Sequence, residues 1–385
     1  MSLRKRIDNT LRKFEKAFET QNLIEVSKSA LIGNLHLFNE LSGKAIIPVL
    51  KGNAYGHGIE QVAIALKNEK IPYIGVDGYF EALRIRDVSR KPVLIMGAIM
   101  PKNFKHIHYD NFTFVIQDGA TVHALGATGR KQKVHLECNT GMNRYGASYE
   151  NIEELTRLIL SYKNLELEGV MSHLADSDGD NIETVDAAVE RFDEAVDKVL
   201  ACGATPNIFH VAQSAGSLKA KSKYANTIRL GIGLYGINPF PAEHNLYAGL
   251  ASKLRPAMRL ISTVSKITDL KQGDQVSYNY TFTAPKGMRV GVLPLGYYEG
   301  VNRSLSNRGV VKINGKFQPI VGRVCMNHTI IELVNDKTNV GDKVVVYSNQ
   351  SNDQNSVDSI AKIQKLFSYN LLTSLSSDIR RILVD

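Results

Sequence analysis

Cysteine is scarce in this chain: Cys138, Cys202 and Cys325 are the only three among 385 residues. They share no close spacing, so neither a disulfide framework nor a cysteine metal motif is expected, and no histidine stands at ligand spacing to complete a zinc site. A sparse, odd set of thiols fits a reducing cytoplasm. Long apolar runs are also missing. Nothing approaches the ~20 residues needed to cross a bilayer, so no membrane span is expected. The charged N-terminus has no following apolar core and does not read as a secretory signal. Single-sign charge blocks are absent as well. The net charge is +9, but basic and acidic residues are interspersed, which favours a solvated basic surface over a nucleic-acid footprint. Even the densest basic stretch (Arg4, Lys5, Arg6, Arg12, Lys13, Lys16) is diluted by Asp8, Glu15 and Glu19. Phe14 and Phe18, four apart, read as one face of a short extra helix.

What remains is a soluble composition, 43% hydrophobic and 22% charged, in a chain long enough for two domains. The first two-thirds repeats a short apolar strand, a turn and an amphipathic stretch. Strands are expected at Ile46–Lys51, Ile71–Asp77, Pro92–Gly97, Phe112–Gln117, Lys133–Asn139, Leu165–His173, Ile208–Ala212 and Thr227–Ile232. Helical patterns lie between them, at Glu60–Lys67, Ile152–Tyr162 and Ile182–Leu200 among others. Eight such units predict an α/β fold with an N-terminal (β/α)8 TIM barrel, a form that typically takes ~250 residues. The rhythm changes after Gly236, and Asn238-Pro239-Phe240-Pro241 marks a boundary. Beyond it, Met258–Ile267, Arg289–Leu295, Val310–Ile313, Phe317–Val321, Thr329–Leu333 and Lys343–Tyr347 read as strands, with Asn314-Gly315 as a hairpin turn. Only Val357–Phe367 reads as helix there. The expected division is an N-terminal extension at 1–21, the barrel at 22–240 and a C-terminal mainly-β domain at 241–385.

Functional groups of such barrels sit at the C-terminal ends of the strands. Here those ends carry Lys51, Glu137 with Asn139, His173, His210 and Arg229, which places all of them on one rim. Along the fifth strand His135, Glu137 and Asn139 alternate with apolar neighbours, facing an interior where an unpaired charge is costly. A structural network explains one such residue. Five at one mouth favour a site. Lys51 stands out: it ends an apolar run and precedes Gly52-Asn53-Ala54-Tyr55-Gly56-His57-Gly58. Partial desolvation there favours condensation with an aldehyde. The plainer alternative is a surface lysine before a glycine-rich turn.

The segment Lys51–Gly58 resembles the cofactor-lysine motif of the bacterial alanine racemases, and the resemblance continues from about Leu23 onward. It runs through Asn139-Thr140-Gly141-Met142-Asn143-Arg144, Ser172-His173, His210 with Ser214–Leu218, and Ile228–Ile232. In the second domain it includes Val276-Ser277-Tyr278, Pro294–Tyr297 and Gly322–Met326. The order and spacing make it specific. The resemblance implies pyridoxal 5'-phosphate joined to Lys51, with its phosphate held by Tyr55, Ser214, Gly231 and Ile232. That agrees with the phosphate sites that barrels place after strands seven and eight. It implies Arg229 against the pyridine nitrogen, His210 supporting that arginine, and His173 linking it toward Tyr278. Lys51 and Tyr278 become the two bases on opposite faces of the substrate carbon. Tyr278 comes from the partner, in a homodimer with shared sites. Arg144, Tyr297 and Met326 take positions at the substrate carboxylate and entrance. The implied role is supply of D-alanine for peptidoglycan in the cytoplasm.

Three positions depart from the pattern. Glu137 stands where many relatives carry a carbamylated lysine, and is expected to pair with Arg144. Asn327 replaces an aspartate after the methionine, and Ser377 stands about where relatives usually carry a phosphate-contacting tyrosine. The last two keep a broad-specificity, serine or lysine racemase open as the alternative. A non-catalytic carrier of the same cofactor is disfavoured by the β-domain and Tyr278. In the packing alternative, Tyr278, Tyr280 and Phe282 are a stripe on one strand face.

Overall fold

The computed structural model describes residues 19–107, 111–334, 337–364 and 366–385. The basic N-terminal stretch with Phe14 and Phe18 lies outside the described residues. Two compact units emerge: Val26–Ala257 with Leu383–Asp385, and Met258–Ile382 with the described N-terminal residues through Glu25.

Strand β1 (Leu23–Ser27) leads into a helix at Lys28–Ser42. Ser27 caps this helix, its Oγ accepting the Ala30 N–H at 3.0 Å, which satisfies one of the donors a helix start leaves open. The eight expected barrel strands follow: β2 (Ala45–Pro48), β3 (Ile74–Val76), β4 (Val93–Ile95), β5 (Phe112–Ile116), β6 (Gln132–Glu137), β7 (Leu165–Met171), β8 (Ile208–His210) and β9 (Thr227–Leu230). Strands β3 to β8 pair in parallel and in sequence order, and β2 pairs in parallel with β9. A bridge between Val49 and Gly75 joins β2 to β3. The Arg229 N–H to Ala212 carbonyl bond at 3.0 Å joins β9 to β8. The ring is therefore a (β/α)8 barrel. Ile47, Tyr73, Leu94, Val115 and Met171 form a buried cluster contributed by its strands and the turn before β3, so the barrel is filled rather than hollow.

One irregularity matters below. Val134 of β6 pairs with Leu167 of β7, but the next residue, His135, pairs with Gly169. Glu168 is the extra residue of a β-bulge, a feature that re-aims side chains.

The second unit is mainly β. Its strands are β10 (Met258–Thr263), β11 (Lys266–Leu270), β12 (Gln275–Val276), β13 (Phe282–Thr283), β14 (Met288–Leu293), β15 (Val310–Ile313), β16 (Lys316–Pro319), β17 (Thr329–Glu332), β18 (Lys343–Tyr347) and β19 (Arg380–Val384). They form a six-stranded sheet in the order β16-β15-β18-β10-β1-β19, a three-stranded sheet β11-β14-β17 and a ribbon β12-β13. The Asn314-Gly315 hairpin forms as expected, with φ of 47° and 79° at its two turn residues. Three expectations change. The run Met258–Ile267 breaks at Val264-Ser265 into strands of two different sheets. A second helix, Ser368–Thr373, follows the one at Val357–Gln364. Tyr278–Tyr280 is a 3-10 turn, not strand, so the aromatic stripe at period two does not form.

Candidate active site

Lys51 leaves β2 just beyond the Val49 bridge. The chain then makes a left-handed turn: Gly52, Asn53, Ala54 and Tyr55 have φ of 62°, 54°, 55° and 51°. For residues with a Cβ this region costs about 1–2 kcal/mol each, so neighbours must hold it. Glu81 Oε1 accepts the Gly52 N–H at 2.7 Å. Asn53 Oδ1 accepts from the Ile59 N–H at 3.1 Å and from Arg84 Nη2 at 2.9 Å. The turn carries Tyr55 onto the ring of Tyr235, 5.1 Å between centroids, while Tyr235 donates to the Val49 carbonyl at 2.8 Å. Lys51 Nζ lies 3.8 Å from Asp77 Oδ1. Burial, with the Asp77 charge assisting, pushes the Tyr55 phenol up to about 12, so Tyr55 keeps its proton and serves as a hydrogen-bond donor.

Ser214 follows β8 and faces the turn after β9. Its Oγ accepts the N–H groups of Gly231 and Gly233, both at 3.2 Å, which leaves its own proton to donate. Gly231 is required by space: a Cβ there would meet the Tyr55 hydroxyl at 2.8 Å. Ile232 opens a short 3-10 turn at this point. Two hydroxyl donors and the backbone at Gly231–Ile232 thus border one location, a suitable cradle for an anion.

Arg229, on β9, is buried. Nη1 donates to His210 Nδ1 and to the His210 carbonyl, each at 2.7 Å. Nη2 donates to the carbonyls of Ser172 at 2.5 Å and Val211 at 3.2 Å, and to His173 Nδ1 at 3.0 Å. Among the described residues Nε–H has no acceptor, leaving one directed donor for a group the protein does not supply. Burial lowers the Arg229 pKa to about 10, which still leaves it cationic at neutral pH. Because arginine only donates, His210 and His173 must each present a bare Nδ1 and carry their proton on Nε2. Burial, followed by the Arg229 charge, holds both imidazoles well below the usual histidine value.

Glu137 ends β6, buried, and accepts from Gln117 Nε2 at 2.8 Å. The expected ion pair with Arg144 is not made: among the described residues no Glu137–Arg144 contact lies within 4 Å, and Arg144 is exposed on the loop after β6. Burial raises the Glu137 pKa, opposed by the Gln117 bond and the charges of Arg229 and Arg144. Gln117, Asp77 and Tyr235 were not singled out from the sequence. Gln117 and Asp77 had a signal, since each ends an expected strand on the same rim.

The second unit collects the rest. Ser277 adopts φ 64° and donates to the Arg323 carbonyl at 2.7 Å, presenting Tyr278 two-thirds exposed. The N–H groups of Tyr297 and Tyr298 bond the carbonyls of Cys325 and Met326, both at 3.0 Å. Tyr278, Tyr297 and Met326 therefore share one end of this unit and are all exposed. Asn327 Nδ2 donates to Glu299 Oε1 at 2.8 Å, and Ser377 is exposed.

Lys51, Tyr55, Glu137, His173, His210, Ser214, Arg229, Gly231 and Ile232 thus gather in the barrel, and Tyr278, Tyr297 and Met326 in the β unit. The barrel set offers an amine, an anion cradle and a buried guanidinium donor. Among the described residues no group of three or more histidine, cysteine, aspartate or glutamate side chains could hold a metal, and no helix is long and apolar enough to cross a membrane.

Comparison with known proteins agrees with this geometry. Residues 26–239 match the family profile described as alanine racemase, N-terminal domain, and 257–383 match alanine racemase, C-terminal domain. The chain is 32% identical to the alanine racemase of Francisella philomiragia over 94% of this chain and 99% of that protein. It is 33% identical to that of Carboxydothermus hydrogenoformans, over 91% and 96%. A solved neighbour is the Bacillus anthracis alanine racemase with bound L-Ala-P, at TM-score 0.86 and 28% identity, covering 96% of both chains.

Proposed function

The chain belongs to the alanine racemase family and is an amino-acid racemase, and from that premise we propose that it interconverts L- and D-alanine using Lys51 and Tyr278 as its two bases. The observation that carries this reading is the barrel's donor set. It presents an amine at Lys51, protonated hydroxyls at Tyr55 and Ser214, and an unspent Nε–H on Arg229.

These residues fit pyridoxal 5'-phosphate. Lys51 would join it covalently, Tyr55, Ser214 and the Gly231–Ile232 backbone would hold its phosphate, and Arg229 Nε–H would meet its ring nitrogen. When bound, the cofactor withdraws electrons from the substrate's α-carbon and makes its proton labile. The protein's residues do the rest. Racemisation removes the α-proton on one face and returns one on the other, so a single base is insufficient. The Lys51 amine would hold or take up the proton on one face. The partner subunit's Tyr278 serves the other. His173, with its proton on Nε2, offers a hydrogen-bond donor that favours the phenolate of that tyrosine. Arg144 binds the substrate carboxylate, and Tyr297 and Met326 restrict entry. Support for a homodimer with shared sites comes from the exposed end of the β unit. Tyr278, Tyr280, Tyr297, Tyr298 and Met326 form an aromatic-rich surface of the kind that interfaces cover.

The experiment is a racemisation assay over L-alanine, L-serine and L-lysine with added pyridoxal phosphate. Faster turnover of alanine than of the others is expected. Turnover of serine or lysine exceeding that of alanine would transfer the assignment to the broader racemases, and no turnover of any of them would remove it.

A further inference from the structure

The hydrogen bonds around Arg229 do not stop at His210. His210 Nε2 lies 2.8 Å from His135 Nδ1, and His135 Nε2 lies 3.4 Å from Glu168 Oε2. Glu168 also accepts from Lys133 Nζ at 2.5 Å and from the Tyr73 hydroxyl. Both imidazoles are fully buried and Glu168 nearly so. Arginine can only donate and a carboxylate can only accept, so the two imidazoles between them have one permitted arrangement. His210 accepts from Arg229 at Nδ1 and must donate from Nε2. His135 accepts at Nδ1 and must donate from Nε2 to Glu168.

We propose that Glu168 and His135 are positioning residues for the racemase site, forming with His210 a one-way hydrogen-bond chain that fixes the orientation and charge of Arg229. The inference rests on the reading of Arg229 given above and deepens it. Among the described residues Arg229 has no carboxylate in direct contact; the charge of Glu137 acts on it through space, and a buried cation gains from a further anion bonded to it through the chain. Glu168 supplies one through two polarised rings, each bond strengthening the next.

Two features of the backbone are built around this chain. The β-bulge places Glu168 opposite no partner and turns its side chain inward, while Glu166, two residues earlier, is exposed. Glycine at 169 clears the ring of His135, because a Cβ there would stand 2.6 Å from Nδ1. Tyr73 also packs edge-on against that ring, with centroids 5.5 Å apart. The electrostatics agree. Burial holds His135 and His210 neutral. Burial alone would raise Glu168, yet bonds from His135, Lys133 and Tyr73 bring it down to about 2.

Imidazole nitrogen NMR of the holoenzyme, assigned with His135→Asn and His210→Asn, reads the arrangement directly. Both rings are expected neutral with the proton on Nε2 at pH 7 to 8. A cationic ring, or a proton on Nδ1 of either, overturns the proposal whether or not the enzyme racemises. The second measurement is Glu168→Gln, which keeps the shape and removes the charge. Its expected signature is a shift of the His210 nitrogens and a fall in kcat of about tenfold with KM for alanine unchanged, partly restored in Glu168→Asp. A Glu168→Gln enzyme that loses thermal stability but keeps wild-type His210 signals and kcat makes the chain merely structural and refutes the inference. Wild-type activity with alanine would then still stand as the separate test of the function.

Discussion

Substituting Gly231 by alanine tests the phosphate cradle at a defined distance. The new Cβ would lie 2.8 Å from the Tyr55 hydroxyl and 3.4 Å from its ring carbon Cζ. An ordinary contact begins at 3.4 Å, so the hydroxyl is about 0.6 Å too close, and because its oxygen is fixed to the ring the whole ring must shift with it. The ring cannot follow freely, because it rests against Tyr235. Losing a hydrogen bond to a charged group costs about 1.5–3 kcal/mol, which is roughly a 10- to 150-fold rise in Kd. Gly231→Ala is therefore expected to weaken pyridoxal phosphate binding by that factor, measured by equilibrium dialysis in a Lys51→Ala background where the covalent link is absent. Tyr55→Phe should weaken it equally by removing the same hydroxyl. Because Tyr55→Phe also removes the obstructed atom, the double variant should be no worse than either single one, with a coupling energy nearly equal to one whole effect. Additive losses would show that Gly231 and Tyr55 act on different things, and the cradle as described would be wrong.

Lys51→Ala should abolish the imine absorbance of the joined cofactor and lower racemisation by roughly a thousandfold or more; retention of both would disqualify Lys51. Tyr278→Phe should bind cofactor normally yet lose about 100- to 10,000-fold in kcat, and a loss of cofactor instead would give it another role. Gly169→Ala should press on His135 and cost about 1–3 kcal/mol in urea unfolding, so an unchanged midpoint would contradict the tight fit. Stability should also depend on acid. His135 and His210 are held below their ordinary value of 6.5 in the folded chain, so below that pH only the unfolded chain takes up the protons. Their stabilising contribution is complete above 6.5 and declines as pH falls, each by up to about 1.4 kcal/mol per unit. Glu168, at about 2 when folded against 4.5 ordinarily, adds a further loss below pH 4.5. Unfolding free energy that stays flat from pH 7 to 5 would contradict the neutral, buried rings.

The barrel was legible because parallel strands are buried on both faces and read as short apolar runs. Strand ends were less so. The first expected strand ran to Lys51, but β2 stops at Pro48, and beyond it only the single bonds of Val49 to Leu230 and Leu50 to Gly75 continue before Lys51. His135 could be placed inside by alternation. Glu168 could not, because strict alternation puts it on the outward side with Glu166, and only the bulge turns it in. The left-handed turn at 52–55 was half visible: Gly52 and Asn53 are favourable there, whereas Ala54 and Tyr55 carry no such signal. Tyr278, Tyr280 and Phe282 mimic a strand by spacing, yet Ser277, Asn279 and Tyr280 all adopt positive φ. Their periodicity therefore misdescribed the backbone that presents Tyr278.

An amine and a phenol from two copies of the chain should share one substrate. Lys51→Ala and Tyr278→Phe homodimers, each inactive, should be unfolded together and refolded. Random pairing makes half of the dimers mixed, and each mixed dimer has one site with both native residues, so activity should return to about a quarter of the wild-type rate. Refolded mixtures that exchange subunits and stay inactive would mean that Lys51 and Tyr278 do not meet across the dimer.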